Sequence, residues 1–413
     1  MSFRFASGIK KPLFDPLAAQ TSTSTYYLYT WGDNYRYQQG LGDQTRRSSP
    51  TQVGSETYWA SLSVAGEHVL ALDTTGRMWS WGRNDYGQLG HNNTTNYSSP
   101  KQVGSLTTWS SISASLYSSQ PISAAIKTDG TLWTWGRNAF GGLGLNDLAA
   151  PRQPTQVGAL TNWRQVLSGG NYCLAIKTNG TLWSWGANGF GQLGDGTTDN
   201  RSSPVQVGGL TDWLSVNTSG DNPTHMLAIK TNGTIWAWGT GHHGQLGIGN
   251  LTYYSSPKQI GALTNWARTA ISNAYSSMAV KTDGTLWTWG QNYSGELGHG
   301  HPSNKYSSPK QVGSLTNWLF PEAGSQFRGC TKTDGTLWMW GGNSNGQLGL
   351  GNTTSYSSPK QVGSSTGWGN FSLGATTVHA LDLAALVRSG VRYSGIWKIN
   401  SQGSAKAANT WPS

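Results

Sequence analysis

Trp-Gly pairs stand at seven positions spaced roughly fifty residues apart along this chain of 413 residues. Self-similarity at such a period is typical of repeat architectures, in which each repeat is one supersecondary unit that buries its apolar face against its neighbours. The chain is therefore expected to fold as a series of like units. The tryptophans of the pairs are Trp31, Trp81, Trp135, Trp185, Trp238, Trp289 and Trp340.

Each repeat contains the pattern of a tight β-hairpin. In one copy, Ala-Ile-Lys ends at Lys127, the turn Thr-Asp-Gly follows, and Leu-Trp-Thr-Trp-Gly begins at Leu132. Asp-Gly or Asn-Gly between two apolar runs is the strongest short hairpin signal, because both central residues of such a turn need a positive φ. The sequence therefore predicts a hairpin in each repeat, with both turn residues in the left-handed region.

Two further strands are predicted beside the hairpin. A Trp opens a Ser-rich alternating run before it, as at Trp109, and Ser-Ser-Pro-x-Gln-Val-Gly follows it, as at Pro100. Because Pro cannot donate to a β-ladder, this last run is predicted to begin at its Pro or to lie at a sheet edge. Four short strands per copy, with no helical periodicity, predict an all-β fold.

The two ends of the repeat region indicate how the sheets are arranged. Residues 368–382 match residues 59–73 without a gap, but no Leu-Trp-x-Trp-Gly strand follows Asp382. The missing strand stands near the start of the chain, where residues 27–32 have no hairpin partner before them. An N-terminal strand that completes the C-terminal blade would close a ring and remove both sheet edges, which an open β-solenoid would leave exposed. We therefore predict a closed seven-bladed β-propeller of four-stranded blades.

The tryptophans fit a structural role. Twenty of the 22 fall in three columns of the repeat: the Trp-Gly column, the column that opens the first strand, and the column two residues before Trp-Gly. Each such side chain buries on the order of 200 Å². We predict that all twenty form the core between blades and do not stack against a ligand.

The repeat resembles a known family. Thr-Asp-Gly-Thr-Leu-Trp-Thr-Trp-Gly at residues 128–136, with Trp-Gly-Arg-Asn-Asp-Tyr-Gly-Gln-Leu-Gly at 81–90, is similar to the regulator of chromosome condensation repeat. The resemblance covers residues 25–385 and implies a seven-bladed propeller closed by an N-terminal strand. The family's namesake is an exchange factor for a small GTPase, but its inserted β-wedge has no counterpart in this sequence. The Trp-rich form of the repeat is more similar to bacterial and phage versions.

The ends of the chain lie outside the predicted ring. The predicted units are an N-terminal anchoring arm (1–24), the propeller (25–385) and a C-terminal arm (386–413). Two tryptophans in an otherwise polar tail are costly to leave in water, so the arms are expected either to pack back on the propeller or to dock on another subunit. The candidate anchoring residues are Phe3, Phe5, Phe14, Trp397 and Trp411.

The arms also bear on location and function. They contain no apolar region of the kind a secretory signal peptide needs, and the chain has no run of eighteen apolar residues, so neither Sec-type secretion nor a membrane span is expected. A Lys-Pro-x-Phe-x-Pro-Leu start and a Gly-Ile-Trp…Trp-Pro finish resemble structural proteins of marine tailed phages, notably cyanophages. This resemblance implies a virion component whose partners are other virion proteins.

Charge sets limits on the partner. Only 11% of residues are charged, and the net charge of +10 comes largely from two repeat columns of lysine. Lysines spread around a ring would form a diffuse positive annulus, so we expect solvated strand-edge side chains, with an acidic partner as the alternative and no specific nucleic acid. The columns are Lys127, Lys177, Lys230, Lys281 and Lys332, and Lys101, Lys258, Lys310 and Lys360.

No catalytic constellation stands out from the repeat pattern. The Gly-x-Gly combinations are repeat glycines without a following Gly-Lys-Ser/Thr, and Cys173 and Cys330 lack metal-ligand spacing and are expected to be free and buried. His242-His243 and the His299/His301 pair lie in loops of adjacent repeats, where they either approach each other to hold a transition metal or are simply exposed. We expect no enzymatic activity, no cofactor and no metal.

One aromatic column is the candidate interaction surface. In the loop after Trp-Gly, corresponding positions hold Tyr86, Phe140, Phe190 and His243, with Tyr293 one place earlier. If these loops share one face, the rings form a partial aromatic ring suited to a host-surface glycan or a protein hot spot. The alternative is that they pack under the Gln-Leu-Gly turn.

The sequence supports two main hypotheses about function. The first is a non-enzymatic phage virion structural protein, a rigid module of the tail, neck or fibre apparatus or of the capsid surface, anchored by its arms and available for host attachment. The second is a bacterial interaction module of the same repeat family that binds a protein partner. A glycan lyase or hydrolase would need paired carboxylates near the central channel, and no acidic residue outside the repeat columns indicates them.

The virion hypothesis predicts that the chain is present at stoichiometric copy number in purified phage particles from the source that encodes it. Mass spectrometry of those particles, paired with cryo-electron microscopy, measures this directly. Absence of the chain from particles would contradict the hypothesis and leave the interaction module.

Overall fold

The computed structural model describes residues 25–383, apart from 116–118, 120, 221–224, 272–274 and 303. This part of the chain contains strands, turns and loops and no helix. The strands are β1 (Tyr26–Gly32), β2 (Arg47–Gln52), β3 (Trp59–Val64), β4 (His68–Asp73), β5 (Met78–Gly82), β6 (Tyr97–Gln102), β7 (Trp109–Ala114), β8 (Ile122–Lys127), β9 (Leu132–Gly136), β10 (Thr155–Gln156), β11 (Trp163–Ser168), β12 (Tyr172–Lys177), β13 (Leu182–Gly186), β14 (Arg201–Gln206), β15 (Trp213–Thr218), β16 (His225–Lys230), β17 (Ile235–Gly239), β18 (Tyr254–Gln259), β19 (Trp266–Ile271), β20 (Ser276–Lys281), β21 (Leu286–Gly290), β22 (Tyr306–Gln311), β23 (Trp318–Ala323), β24 (Phe327–Lys332), β25 (Leu337–Gly341), β26 (Tyr356–Gln361), β27 (Trp368–Leu373) and β28 (Thr377–Leu383).

These strands form seven antiparallel sheets of four strands each, the blades. Blades 1 to 6 are β3–β6, β7–β10, β11–β14, β15–β18, β19–β22 and β23–β26. Blade 7 has the strand order β27-β28-β1-β2, so that both ends of the repeat region meet in one sheet. Strands β1 and β28 pair continuously from Tyr26↔Leu383 to Gly32↔Thr377. The predicted closure by an N-terminal strand is confirmed, and the strands of the ring run from Tyr26 to Leu383.

The blades form a closed ring. The first strands of neighbouring blades contact one another in an unbroken series that includes β3 with β7 and returns from β27 to β3. Seven separate clusters of buried apolar side chains lie between successive blades, and the last combines Leu28 and Leu381 of blade 7 with Trp59 and Trp81 of blade 1. A sheet that is apolar on both faces needs such a partner on each side, and closure supplies one for every blade.

The Trp-Gly tryptophans join each blade to the blade before it. Six of the seven indoles donate a hydrogen bond of 2.8–3.0 Å from Nε1 to a backbone carbonyl in the preceding blade's loop. The carbonyls belong to Gln347, Gln38, Gln88, Gln192, Gln245 and Glu296. Trp185 differs, because its buried Nε1 has no such partner in the described structure and the equivalent loop residue is Gly142.

The prediction that all twenty repeat tryptophans are core is correct for two columns and wrong for the third. The Trp-Gly column and the first-strand column are buried, with at most 7% of any side chain exposed. The column two residues before Trp-Gly, which includes Trp183, is half-buried. Its rings pack edge-on against the first-strand tryptophan of their own blade, as Trp183 does with Trp163 at 6.0 Å, and leave one side toward solvent.

The hairpins lie where the sequence predicts, but their turns differ in detail. In blade 4, Ile229 pairs with Ile235, and only Gly233 of the turn has a positive φ, at +77°. Asn232 contributes through its side chain, since Oδ1 accepts hydrogen bonds from both the amide and the hydroxyl of Thr234 at 3.1 and 2.7 Å. Asn and Asp are thus interchangeable here because either can accept these two bonds.

The fourth strands form the outer edge of each blade. They pair on one side only, with the third strand of their blade. The sequence predicts that the run either begins at its Pro or lies at a sheet edge. Pro100 lies within β6 and not at its start, so the prediction of an edge strand is correct. Pro and Lys at these positions are residues that discourage edge-to-edge association of sheets.

We predict that the glycine under each indole is needed for the ring. Gly194 has φ +72°, and a Cβ there would lie 2.8 Å from Nε1 of Trp238. Gly208 has a similar φ of +60° and open space around its Cα. Gly208→Ala should therefore cost only the left-handed strain of about 1–2 kcal/mol. Gly194→Ala should cost a further ~1–3 kcal/mol for overpacking.

The measurement is thermal and urea unfolding of both variants beside the parent protein. Equal losses of stability in the two variants would contradict the role assigned to this contact.

Candidate functional site on the loop face

The ring has two faces of different construction. We call loop face the side that carries the connections between first and second strands and between third and fourth strands of each blade. The turn face carries the Asp-Gly and Asn-Gly hairpin turns and the connections from one blade to the next. All predicted aromatic positions follow a third strand, so they lie on the loop face.

In blades 1, 3, 6 and 7, two buried amide side chains hold the loop after Trp-Gly. In blade 1, Oδ1 of Asn84 accepts from the Leu89 amide at 2.9 Å, and its Nδ2 donates to the Asn93 carbonyl at 3.0 Å. Oε1 of Gln88 accepts from the Tyr86 amide at 3.0 Å. The aromatic residue therefore stands on a backbone that is already fixed by hydrogen bonds, and little conformational entropy is lost when such a side chain meets a partner.

The structure divides the predicted aromatic column into two groups. Phe140, Phe190 and Tyr293 are 42%, 43% and 65% exposed. Tyr86 is half-buried beside Arg137 of the next blade, which donates to its hydroxyl at 2.9 Å and lies 4.7 Å from its ring centre. His243 is also half-buried and contacts other rings of its own loop cluster. Tyr86 and His243 thus pack against neighbouring side chains, and Phe140, Phe190 and Tyr293 face solvent.

A cleft of about 350 Å³ opens between the loops of blades 3 and 4. Phe190 and Tyr253 line it together with the small polar residues Thr198 and Ser255. The sequence reasoning missed Tyr253, which is 47% exposed. It occupies the place that Asn96 holds in blade 1, so a break in a polar repeat column was the available signal.

Tyr253 belongs to an aromatic cluster at the edge of the cleft. Its hydroxyl lies 2.8 Å from Nδ1 of His242, and the two rings are stacked at 5.5 Å. His243 lies 4.3 Å from His242 and 4.2 Å from Tyr275, measured between ring centres. Burial lowers the pKa of His243, and the neighbouring His242 lowers it further. The surroundings of His243 therefore favour its neutral imidazole.

The histidine pairs are not brought together as a metal site. His299 lies beside Tyr306 at 5.3 Å, and its Nε2 lies 3.1 Å from the Thr288 hydroxyl, while His242 and His243 are engaged with tyrosines. Within the ranges that the structure describes, no group of three or more His, Cys, Asp or Glu side chains could hold a metal ion. No helix of those ranges is long and apolar enough to cross a membrane.

One lysine column, here called the inner column, ends the second strands and consists of Lys127, Lys177, Lys230, Lys281 and Lys332. The expectation that its side chains are solvated is wrong. Four of its five lysines are buried, with 5–7% exposed, and Lys127 is half-buried. Each ammonium lies over two tryptophan rings of its own blade, at 3.5–4.4 Å from the third-strand ring and 4.7–5.1 Å from the first-strand ring. A desolvated cation–π contact contributes ~2 kcal/mol or more, which offsets the burial of the charge. Burial lowers the pKa of Lys177, Lys281 and Lys332.

The outer lysine column is exposed, as expected. Lys101, Lys258, Lys310 and Lys360 lie on the fourth strands, with each ammonium 4.1–5.6 Å from the ring of a tyrosine four residues earlier. Of the two lysine columns, this one therefore presents its charge to solvent, at the rim of blades 1, 4, 5 and 6.

The potentially reactive side chains of the core are structural. Cys173 and Cys330 are free and buried, as predicted, and burial raises the pKa of the Cys330 thiol to about 12. Burial lowers the pKa of His68, His225 and His379 to about 3. Neither thiolates nor imidazolium groups are therefore available from these positions near neutral pH.

The candidate anchoring residues cannot be placed. Phe3, Phe5, Phe14, Trp397 and Trp411 all lie outside the described residues.

Comparison with known proteins agrees with this geometry. The model of the "Regulator of chromosome condensation (RCC1) repeat" matches seven times, at residues 27–72, 75–119, 129–176, 179–222, 232–280, 283–327 and 334–380. Among solved structures, Prp20p from Saccharomyces cerevisiae has a TM-score of 0.77 at 18% identity, covering 97% of this chain and all of the yeast chain. Human WBSCR16 has a TM-score of 0.74 at 19% identity, covering 86% and 98%. Identities this low establish the shared fold.

Curated relatives are longer and match in part. The human "E3 ubiquitin-protein ligase HERC2" is 30% identical over 237 residues, which is 56% of this chain and 4% of the relative. The human "Probable E3 ubiquitin-protein ligase HERC6" is 37% identical over 130 residues, or 30% and 13%. The "Ultraviolet-B receptor UVR8" of Arabidopsis thaliana is 28% identical over 131 residues, or 31% and 30%. The chain thus matches less than a third of the length of each of these relatives.

We predict that the buried histidines make the fold sensitive to acid. Because the pKa of His379 is about 3 in the fold, against a usual 6.5, its contribution is fully present above pH 6.5. It is lost as the unfolded state takes up protons between pH 6.5 and 3, by up to about 1.4 kcal/mol per pH unit. Leu70 holds the equivalent position in blade 1, so His379→Leu fits the site and removes this dependence.

Urea unfolding at pH 7, 5.5 and 4.5 measures the effect, with His301→Leu at an exposed histidine as the control. Parallel loss of stability in the parent and in His379→Leu would show that His379 does not titrate as described.

Proposed function

Because this chain belongs to the regulator of chromosome condensation repeat family, we propose that it is a non-enzymatic protein-interaction module that binds a protein partner through its loop face. The observation that carries the proposal is the run of exposed aromatic side chains on that face. Phe140, Phe190, Tyr253 and Tyr293 come from blades 2, 3, 4 and 5, so the patch crosses four consecutive blades.

The chemistry of the patch suits a protein surface. Protein interfaces are enriched in aromatic residues, and an aromatic residue on a rigid backbone loses little conformational entropy on binding. Phe190 meets these conditions, since Gln192 accepts a hydrogen bond from its amide at 2.8 Å and Thr198 and Ser255 lie in the same cleft. A cleft of about 350 Å³ accommodates a side chain or a short peptide segment.

A protein of the same fold binds protein partners. The yeast Prp20p structure is described with binding to Gsp1p and histones, and a second structure contains the same yeast protein bound by Kap60. Gsp1p, histones and Kap60 are partners of the yeast protein. For this chain we infer only that the ligand is a protein. A glycan ligand for the same aromatic rings is the alternative that the experiment below distinguishes.

A structural role for the buried titratable groups supports the non-enzymatic part of the proposal. Both thiols are in the core, where burial raises their pKa. The buried Glu296 of the blade 5 loop lies near Arg328 of blade 6, and burial raises the pKa of its carboxyl. Both thiols pack in the apolar clusters between blades.

The virion hypothesis stays a prediction. It depends on the two arms, which lie outside the described residues. The family match and the relatives favour the interaction module, which was the second of the two hypotheses from sequence.

We predict that the double variant Phe190→Ser/Tyr253→Ser loses its protein partner. Truncation of a hot-spot aromatic costs about 2 kcal/mol, so each change should weaken binding roughly thirtyfold. The full-length protein, immobilised, is used to capture proteins from the source organism, and quantitative mass spectrometry compares the parent, this variant and a control. The control is Leu160→Ser/Leu210→Ser, which changes two side chains of similar exposure on the turn face.

A partner that is retained by the parent and the control and lost by the aromatic variant is the expected result. Equal capture by all three proteins would contradict the loop-face assignment. Binding of the parent to a glycan array, with no protein captured, would replace the protein partner by a carbohydrate.

A further inference from the structure

The turn face carries an arc of exposed leucines that the repeat geometry creates. In each of blades 2 to 6, the connection that enters the blade places one leucine three residues before the first-strand tryptophan. All five are 45–50% exposed, so one large aliphatic side chain recurs in each of five consecutive blades on this face. The leucines are Leu106, Leu160, Leu210, Leu263 and Leu315.

The arc is interrupted where the described chain begins and ends. The equivalent positions are Glu56 at blade 1 and Ser365 at blade 7. Tyr26 and Leu383 are paired in blade 7, at the turn-face ends of β1 and β28. Both arms therefore leave the ring on the face that carries the leucines, in the gap between Leu315 and Leu106.

The surface around the arc is acidic at its exposed turns. Asp129, Asp283 and Asp334 are exposed and make no ion pair among the described residues. The lysines of the same hairpins in blades 5 and 6, Lys281 and Lys332, are buried between tryptophans. These two turns thus present a carboxylate next to a leucine, whereas Lys127 beside Asp129 is half-buried and the blade 1 hairpin carries the partly exposed ion pair of Arg77 with Asp73 at 2.6 Å.

The C-terminal arm has the complementary composition. Residues 384–413 contain four cations, Arg388, Arg392, Lys398 and Lys406, and no Asp or Glu. The stretch 386–399 interleaves the first three of them with Leu, Val, Ile and Trp. Fourteen residues in extended form reach about 45 Å, enough to cross several sheets packed ~10 Å apart face to face.

We propose that residues 386–399 dock on the leucine arc of the same molecule, across the gap at blades 7 and 1, with apolar side chains on Leu315 and Leu106 and basic side chains at the Asp turns. The occupant of the leucine arc is thus a basic and apolar segment of the same chain. The arc lies on the turn face, away from the loop face that is proposed to bind a partner. Docking would shield aliphatic area that the ring alone leaves in water.

The test uses the full chain and three variants. Leu106→Ser/Leu315→Ser removes the leucines beside the gap, and the control Leu148→Ser/Leu251→Ser removes two leucines of the loop face that are 66% and 48% exposed. Asp283→Asn/Asp334→Asn removes charge from the turns. Asn fits there because Asn179 makes the same bonds to Thr181 as the aspartates make to their threonines.

Two readouts report on the arm itself. Hydrogen–deuterium exchange follows peptides from residues 386–399, and limited trypsin digestion follows cleavage after Arg388, Arg392 and Lys398. We expect protection in the parent and the loop-face control, and cleavage at least roughly tenfold faster in Leu106→Ser/Leu315→Ser because proteolysis tracks the undocked population. The Asp→Asn variant should show a smaller, several-fold increase that high salt reproduces in the parent.

Two outcomes for residues 386–399 would overturn the proposal: exchange at the unstructured rate in the parent, or equal protection in all variants. It would also be overturned if residues 1–24 were protected and residues 386–399 were not, or if the protection were lost on dilution. The last would mean that the arm binds a second copy of the chain. Since none of these readouts involves the loop face, the proposal can fail without affecting the proposed function.

Discussion

The contact that recurs most regularly between blades joins the indole of a Trp-Gly pair to a carbonyl of the preceding blade's loop, and six of the seven indoles donate this hydrogen bond. It needs the tryptophan at the end of a short strand and a glycine whose missing Cβ leaves room for the ring. At Gly194 a Cβ would lie 2.8 Å from Nε1 of Trp238. Trp185 is buried in the same way without the hydrogen bond, so the packing of the indole between blades is the constraint that all seven share. The net contribution of each bond is only ~0.5–1.5 kcal/mol.

The same interaction makes the loop face rigid, and rigidity is what makes the face useful for binding. The loop that accepts the indole is the loop that carries the aromatic column. The side chain of Gln192 accepts a hydrogen bond from the Phe190 amide, and its backbone carbonyl accepts one from the Trp238 indole. Blade contact and binding surface are therefore built from one segment, and the aromatic residues vary between blades while five of the seven loops keep the glutamine, with Gly142 and Glu296 in the other two. Variation of one position on a constant frame is how a symmetric scaffold acquires an asymmetric patch.

Some parts of the molecule could be predicted from sequence and others could not, for physical reasons. Closure was predictable because a missing third strand at one end and an unpaired strand at the other are both visible in the repeat. The burial of Lys177 was not, since its two rings come from different strands, Trp163 in β11 and Trp183 in β13, which flank β12. A cation that is solvated in a single hairpin becomes desolvated only when three strands are assembled in register. The positive φ expected of both turn residues was also wrong, because the Asx side chain stabilises the turn without a left-handed backbone at that residue.

The sequence by itself determined the number of blades, their four strands, the closing strand and the identity of the residues between blades. Each of these follows from local periodicity, which a repeat records seven times. Only the tertiary structure decided which aromatic side chains face solvent and that Tyr253 and Phe190 share a cleft. It also decided that the leucine arc is interrupted at blades 7 and 1, where both ends of the described chain lie. These properties depend on distances between residues of different blades, and no pattern within one repeat contains that information.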